Sequence, residues 1–475
     1  MPALILLTLL SCAPKSPAGI EPVAPSFELP TPGAMPAYTP PAPAVHELES
    51  GASLWVITDD QLPLVSVRAV FDGGARLDPD GKWGRATLAA EMMDEAAGDL
   101  TSVELSKALR LLASDLSVIG GRDSIEINLD THADRLGLAL ELAADVALRP
   151  VFLADDWSRV KEQHENFLAQ RSEDADDIAS YLYSYAYYGA DHPLGRAVDG
   201  TPSSVAALTL DDLKMAWRET IQPERATFVV VGDVTLDEAI ALFDENFSEW
   251  PEPVEVAERE EPASWSERPG AGRTLLVDMP GATQTSIRLV GDGFDWDDPL
   301  APAAQLANVA VGGSFTSRLN KLLRTDLGYT YGAYSGYIGR RDTTVFRVST
   351  SVRKDATTDA LLKILETLEN GKEGFSEEEA TKARAQLVSN AVNEAETRSR
   401  QAGGLAWRAR IELDPAGAAA ELNATQEATA AQLSEAALEY WDAEQMMILL
   451  VGDKEWLLSE LEKAGHEVEL ITEPE

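Results

Sequence analysis

One stretch of the chain combines an arginine, two tyrosines and a glycine turn at a spacing that suits contact with a peptide. Arg324 precedes the turn at Gly328, and Tyr329 and Tyr331 follow it. This alternation predicts a strand on which both phenols leave one face, with the guanidinium brought to the same point. Guanidinium and phenol donors suit a peptide carbonyl or the oxyanion that develops from it. Glycine- and tyrosine-rich strands also occur as plain packing elements, so this interpretation depends on context.

The segment before this turn has the composition of a short helix. Three leucines at packing spacing predict a helix over residues 317–323, and Gly328 is expected to end it. Ser317 and Arg318 from this helix and Tyr329 from the turn are the candidate substrate-binding residues. These elements would present a polar, peptide-sized surface.

Length and charge narrow the classes of function. The chain has 475 residues and a formal net charge of −41, with 80 acidic against 39 basic residues. Such a charge repels phosphate backbones, so nucleic acid is not expected as a partner. The length predicts two domains.

The single cysteine stands in an informative setting. Cys12 ends a short apolar run over residues 3–10, which is too short to span a bilayer and has the form of an export signal. The stretch resembles a bacterial lipobox, in which the cysteine is acylated and becomes the new N-terminus. We therefore predict a lipoprotein signal peptide over residues 1–12 and a Pro- and Ala-rich tether over residues 13–44. The expected location is the bacterial cell envelope, facing the periplasm.

The chain contains an internal repeat. Gly232 and Gly452 stand 220 positions apart, and each closes an apolar strand and opens a helix. The same offset relates a further set of identical residues, which includes Ser66, Arg68, Val70, Asp72 and Gly73 with Ser286, Arg288, Val290, Asp292 and Gly293. Two copies predict duplicated halves and not a solenoid.

The order of elements in each half predicts an α+β fold. Strands come in runs interleaved with helical pairs, which favours mainly antiparallel sheets packed with helices. We place the two domains at residues 45–250 and 274–475. A linker over residues 251–273, rich in proline and charge, would let the domains face each other.

Together these features resemble the insulinase/pitrilysin family of metallopeptidases, peptidase family M16. The resemblance covers residues 45–471, and its most specific part is Arg324 followed seven residues later by Tyr331. It implies that this pair reaches across to a zinc site and steadies the substrate carbonyl. It also implies a zinc site on the first amphipathic helix, at residues 83–97, with the motif His-x-x-Glu-His.

The zinc motif is missing from that helix. Two histidines at i and i+4 can bind one zinc, and the glutamate between them takes a proton from the metal-bound water. The corresponding residues here are Thr87, Ala90 and Glu91. No two of the five histidines lie within one helical turn of each other, so no other segment supplies the motif.

Two weaker metal hypotheses remain. His164 lies near the position of the family's third ligand, but it shares an apolar stripe with Val160 and is better explained as a packed core histidine. Glu91, Asp94 and Glu95 could offer oxygens to calcium. Such a cluster more often forms a solvated helix face.

The leading hypothesis is the zinc-free subunit of a two-chain peptidase. The resemblance implies a partner M16 subunit with an intact His-x-x-Glu-His, zinc on that partner, no cofactor on this chain, and Arg324 and Tyr331 supplied in trans as catalytic residues. Peptide substrate and, through the lipid anchor, a membrane are the other expected contacts.

Two alternatives stay open. A peptide-binding or scaffolding lipoprotein would need no catalytic partner, and could pair a peptide with an exposed strand at residues 124–131. A stand-alone zinc peptidase needs ligands that the sequence lacks.

Overall fold

The computed structural model describes residues 38–256, 267–341 and 343–474. Cys12, the signal peptide at residues 1–12 and most of the tether at residues 13–44 lie outside these residues, so those assignments stay predictions. Ten residues of the predicted linker, 257–266, lie outside as well.

Fourteen strands are present in the described part of the chain. They are β1 Ala44–Glu47, β2 Ser53–Thr58, β3 Leu64–Asp72, β4 Ala96–Ala97, β5 Leu100–Thr101, β6 Asp115–Gly120, β7 Ser124–His132, β8 Ala226–Gly232, β9 Thr274–Asp278, β10 Gln284–Asp295, β11 Ala333–Gly339, β12 Thr343–Arg353, β13 Met447–Gly452 and β14 Val468–Ile471.

Fifteen α-helices and a π-helix, Asn320–Asp326, accompany these strands in the same described ranges. The α-helices are α1 Arg85–Met93, α2 Ser102–Leu111, α3 Leu136–Leu148, α4 Ala154–Arg171, α5 Ala175–Tyr188, α6 Pro202–Ala206, α7 Leu210–Thr220, α8 Leu236–Asn246, α9 Ala301–Val311, α10 Thr357–Glu373, α11 Glu377–Glu394, α12 Arg398–Arg410, α13 Ala418–Glu427, α14 Ala430–Tyr440 and α15 Lys454–Lys463. None of them combines the length and the apolar composition that crossing a bilayer requires.

Each half of the chain builds one six-stranded sheet. The first has the strand order β1-β2-β8-β3-β7-β6, and the second has β11-β12-β10-β13-β9-β14. Most neighbours are antiparallel, while β2 with β8, and β9 with β13 and β14, run parallel. The repeat persists in the register, because Arg68 faces Val229 in the first sheet and Arg288 faces Leu449 in the second. The predicted α+β fold of two duplicated halves is confirmed, while the domain boundaries at 45–250 and 274–475 stay predictions.

The first amphipathic helix is shorter than predicted. Residues 83–97 give only α1, which starts after Gly84 and ends at Met93. Gly84 has a φ of 86°, a left-handed conformation that favours glycine. The last predicted turn is instead the short strand β4, because Ala96 and Ala97 pair with β5.

Each half also sends one helix across to the sheet of the other half. Helix α5, from the first half, packs on the second sheet, where Leu182 and Val290 share one apolar cluster. Helix α12, from the second half, packs on the first sheet, where Leu405 and Val229 share another. The duplicated halves are therefore joined by two apolar interfaces as well as by the linker.

A buried arginine at the centre of each sheet fixes the crossing helix. Arg68 donates to the hydroxyl of Ser399 on α12, and Arg288 donates to the hydroxyl of Ser180 on α5. Arg288 also pairs with Asp176 at 2.9 Å. The two arginines are repeat equivalents, so the same polar contact is made twice, once in each direction.

Candidate functional site

A π-helix carries Arg324. The segment begins as α-helix at Arg318 and continues as the π-helix Asn320–Asp326, which is longer than the predicted helix at residues 317–323. Gly328, with a φ of 63°, follows its end as predicted. The amide of Tyr329 closes the turn by donating to the carbonyl of Leu323. π-Helical turns are rare in proteins, but many of those that occur lie at functional sites.

The predicted strand through Tyr329 and Tyr331 is wrong. Strand β11 begins only at Ala333, and the residues before it form an irregular turn. The hydroxyl of Thr330 accepts from the amide of Gly332 and donates to its carbonyl, which curls the backbone locally. A side chain that bonds its neighbouring backbone competes with strand pairing, and periodicity alone does not reveal this.

The two phenols therefore have different environments. The hydroxyl of Tyr329 donates to Asp359 at 2.9 Å. The side chain of Tyr331 is 91% exposed and has no hydrogen-bond partner among the described residues. Tyr331 is free to contact another molecule, whereas Tyr329 is held by its own chain.

Arg324 is also uncommitted. Its guanidinium lies over the ring of Phe315 at 4.4 Å, a cation–π contact that orients the side chain without consuming its donors. It has no ion pair or hydrogen bond with any other described residue. Phe315 is itself 64% exposed, so the pair stands at the surface of the second half.

Ser317 and Arg318 are used inside the protein. Ser317 is buried, and Arg318 makes a two-pronged pair with Glu379 at 2.7 and 3.0 Å and donates to the carbonyl of Gly374. The hydrogen bonds from Arg318 lower the pKa of Glu379 to about 2 although partial burial opposes this. Their observed contacts fix the loop before the π-helix, and their predicted role in binding substrate stays a prediction.

A buried asparagine network that sequence reasoning missed positions this segment. Asn320 donates to the carbonyl of Ser314 and accepts from the amide of Ala333, so it ties the loop before the π-helix to the strand after it. Asn308 on α9 accepts from the hydroxyl of Ser335 at 2.6 Å. The sequence signal for this network was Asn308, a polar residue within the otherwise apolar helix α9. A buried side-chain amide needs hydrogen-bond partners, so its presence there indicates a polar contact in the core.

The degenerate zinc-motif positions lie on α1 against a neighbouring segment of backbone. Thr87 donates to the carbonyl of Val198 at 2.8 Å, and Ala90 is 1% exposed. Glu91, the third position, has an exposed side chain that contacts His164 at 3.1 Å. Thus one position is hydrogen-bonded, one is packed and one is paired.

His164 is buried as predicted, and both of its ring nitrogens are engaged. Nδ1 contacts Glu91, and Nε2 lies 2.7 Å from the carbonyl of Asp199. Burial opposes a charge on the ring, but the two acceptors outweigh it and raise the pKa of His164 above its ordinary value. Because each ring nitrogen already lies against an oxygen of the protein, neither is directed at an open metal position.

The residues present do not fit a catalytic zinc. Zinc needs three side-chain donors and an open position, and this site offers a bonded hydroxyl, a methyl group and a paired carboxylate. Across the residues that the structure describes, no three His, Cys, Asp or Glu side chains are grouped to hold a metal ion. The acidic cluster on α1 is already partly satisfied, because Glu95 pairs with Arg159 and Glu91 with His164.

Asp94 is the exception in that cluster. Burial, followed by the charges of Glu95 and Glu91, raises the pKa of Asp94 to about 6. The ionised carboxylate is therefore disfavoured in the folded state, which gives this residue a use as a pH probe.

The strand proposed for peptide pairing is not an edge. Residues 124–131 lie in β7, which pairs with β3 on one side and β6 on the other, so its backbone groups are taken. That assignment is wrong. Among the described residues, the edge strands are β1 and β6 in the first sheet and β11 and β14 in the second. The alternation of residues 124–131 identified a strand but could not show how many neighbours it has.

Comparison with known proteins agrees with this geometry. A family model described as "Peptidase M16 inactive domain" matches residues 207–387. An uncharacterized zinc protease of Mycobacterium leprae is 27% identical over 285 residues, covering 59% of this chain and 63% of the relative. A "non-peptidase homolog" of Helicobacter pylori is 25% identical over 294 residues, covering 61% and 66%. The chain thus spans less than two thirds of either relative.

Solved structures share the fold. A peptidase M16 inactive domain from Pseudomonas fluorescens superposes with a TM-score of 0.79 at 23% identity, covering 87% of this chain and 98% of that one. A protease from Helicobacter pylori gives 0.78 at 18% identity, covering 87% and 100%. At these identities the likeness establishes the fold alone.

Proposed function

We propose, from the premise that this chain is an M16-like protein of the non-catalytic type, that it is the zinc-free subunit of a two-chain peptidase. Zinc would reside on a partner M16 subunit with an intact His-x-x-Glu-His. This chain would supply Arg324 and Tyr331 in trans and hold the peptide.

One contrast between the two halves supports this proposal. In the first half, Thr87 at the first zinc-motif position donates to the carbonyl of Val198, and Glu91 at the third contacts His164. In the second half, the donors of Arg324 and Tyr331 remain uncommitted at the surface. Exposed donors on a fixed segment suit a charge that develops on a substrate carbonyl, and such donors act most strongly in the transition state.

The proposal is tested by replacing Tyr331 with Phe in the complex of both subunits. Loss of one oxyanion donor is expected to lower kcat by about 10²-fold with a much smaller change in KM. Tyr334→Phe is the matched control, since Tyr334 is a half-exposed phenol on β11. If Tyr331→Phe retains full activity in a complex that cleaves peptide, Tyr331 has no catalytic role.

The envelope location is part of the same proposal. Acylation of Cys12 would anchor the chain, and several acyl chains would make that anchorage stable. Cys12→Ser is expected to move the protein from the membrane fraction to the soluble fraction of its native host. Unchanged membrane association in that variant would contradict the lipid anchor.

A peptide-binding scaffold without a catalytic partner is the second candidate. The outer edge of β6 is unpaired in the described structure, and Ile119 on it is 53% exposed. An extended peptide could add to such an edge. Co-purification from the native host separates the two, because only the first candidate requires a zinc-bearing M16 chain in the isolated complex.

A further inference from the structure

A cavity of about 540 Å³ lies beside the filled zinc-motif position. Its walls come from α4, α5 and the backbone at residues 197–199, and Arg122, just after β6, closes one side. The same backbone segment offers its carbonyls to Thr87 and His164. We call this space the Tyr183 cavity. Only the backbone segment at residues 197–199 separates it from Thr87, the first zinc-motif position.

The duplication provides an internal comparison for this cavity. A second cavity of about 560 Å³ lies in the second half, and seven of its lining residues stand 220 positions after residues that line the Tyr183 cavity. There Ala391, Gly403 and Gly404 stand where the Tyr183 cavity has Arg171, Tyr183 and Ser184. At these three positions the first half therefore carries cationic and hydroxyl groups, whereas the second half carries a methyl group or a hydrogen.

Three arginines converge on Tyr183. Arg340 donates to its phenol oxygen at 3.0 Å, and the guanidinium of Arg347 lies 4.9 Å from its ring centroid. Arg122 lines the same cavity as Tyr183, and burial followed by the charge of Arg340 lowers the pKa of Arg122 to about 10. Burial raises the pKa of Tyr183, but the arginines reverse this and hold it below its ordinary value.

Two carboxylates, Asp177 and Asp199, line the cavity together with Arg122 and Arg171. Asp199 pairs with Arg171 at 3.0 Å, and Asp176 pairs with Arg288 at 2.9 Å. Arg122, Arg340 and Arg347 have no ion pair with any described residue; Asp342 lies outside those residues. One guanidinium nitrogen of Arg122 donates to the carbonyl of Pro193, and the other N–H groups remain available to a ligand in the cavity.

We propose that the Tyr183 cavity binds an oxyanion group, a carboxylate or a phosphate, through Arg122, with Arg340 and Arg347 supplying positive potential from behind Tyr183. Like charges gathered at a partly buried wall repel, and an anion that accepts their hydrogen bonds removes that repulsion. The carrier we favour is a peptide, through its C-terminal or side-chain carboxylate. That choice of carrier rests on the proposed function, whereas the oxyanion chemistry does not.

The test measures binding by the isolated full-length chain, using calorimetry at low salt. The probes are acetyl-Gly-Gly-Glu, its C-terminally and side-chain amidated form, and inorganic phosphate. We expect the acid to bind at least about 10-fold more tightly than the amide, with affinity falling as salt rises. Phosphate binding as tightly as the peptide acid would assign the site to a free phosphate and overturn the choice of peptide as carrier.

Variants locate the site. Arg122→Gln is expected to weaken binding by at least about 10-fold, whereas Arg110→Gln, an exposed arginine on α2, leaves it unchanged. Equal binding by Arg122→Gln and the parent, or no difference between acid and amide, would overturn the proposal. The binding experiment uses this chain alone, so it does not depend on the proposed pairing with a zinc-bearing subunit. Absence of that subunit would not change the anion-binding result, and absence of anion binding would not contradict the pairing.

A spectroscopic measurement guards against a variant that fails to fold. Titration of the parent at 295 nm should show one phenolate forming below the ordinary range of tyrosine, and Tyr183→Phe should lack that step. Bound peptide acid neutralises the arginines and should move the step to higher pH. If the pH of phenolate formation is the same with and without the peptide acid, the anion does not bind beside Tyr183.

Discussion

Restoring the family's zinc residues on α1 is expected to damage the protein without producing a zinc enzyme. The triple substitution Thr87→His, Ala90→Glu and Glu91→His installs the missing motif. Ala90 is 1% exposed, and a Cβ on Gly120 of β6 would stand 3.1 Å from the Cβ of Ala90. Helix α1 therefore meets β6 with no room for a larger side chain at this position.

The magnitude follows from three local losses. Forcing extra atoms into a packed core costs about 1–3 kcal/mol, and a buried carboxyl group without a hydrogen-bond partner adds about 1–3 kcal/mol even in its neutral form. Loss of the hydrogen bond from Thr87 to the carbonyl of Val198 costs about 1 kcal/mol. We expect the free energy of unfolding to fall by about 3–7 kcal/mol, a large share of the 5–15 kcal/mol typical of folded proteins.

Urea denaturation and metal analysis after dialysis are the assays. The single substitution Glu91→His is the control, since the Glu91 side chain is 42% exposed and should lose only about 1 kcal/mol with its contact to His164. We expect no stoichiometric zinc in the triple variant. One zinc retained per chain together with an unchanged urea midpoint would refute the reasoning from packing at α1.

Two further predictions concern stability. Because the pKa of Asp94 is raised to about 6 in the folded state, its ionisation destabilises the fold as pH rises from about 4 to 6. Asp94→Asn should therefore stabilise the protein at pH 7 and have little effect at pH 4. Urea denaturation at both pH values measures this difference. Arg288→Gln removes the contacts to Ser180 and Asp176 and should lower the free energy of unfolding by about 1–3 kcal/mol, toward the lower end because Asp176 is exposed. A loss below about 0.5 kcal/mol in urea denaturation would show that these contacts do not hold α5 on the second sheet.

The sequence predicted the architecture well because duplication is visible in it. The identical residues at an offset of 220 correspond to identical registers, as Arg68 and Arg288 show. Alternating character predicts strands at residues 64–71 and 285–290, and the structure has β3 at Leu64–Asp72 and β10 at Gln284–Asp295. The absence of the zinc motif needed no structure at all, since ligands are side chains that can be read directly.

The candidate site was less predictable because its contacts are non-local. The turn around Thr330 depends on its hydroxyl also meeting Thr350 on β12, twenty residues away. The second contact of His164 depends on the carbonyl of Asp199, on a different segment. The π-helix adds one residue per turn to the usual spacing, so Arg324 could not be placed from helical periodicity.

The exchange of α5 and α12 between the sheets couples the two duplicated halves through buried apolar contacts. Swinging the halves apart would expose the apolar faces around Leu182 and Leu405 to water, so a wide hinge motion is energetically disfavoured. A protease that nicks the chain between the halves would leave two fragments that still elute together. Under the proposed pairing, a chamber that encloses a peptide would be closed by docking the partner subunit and not by a hinge within this chain.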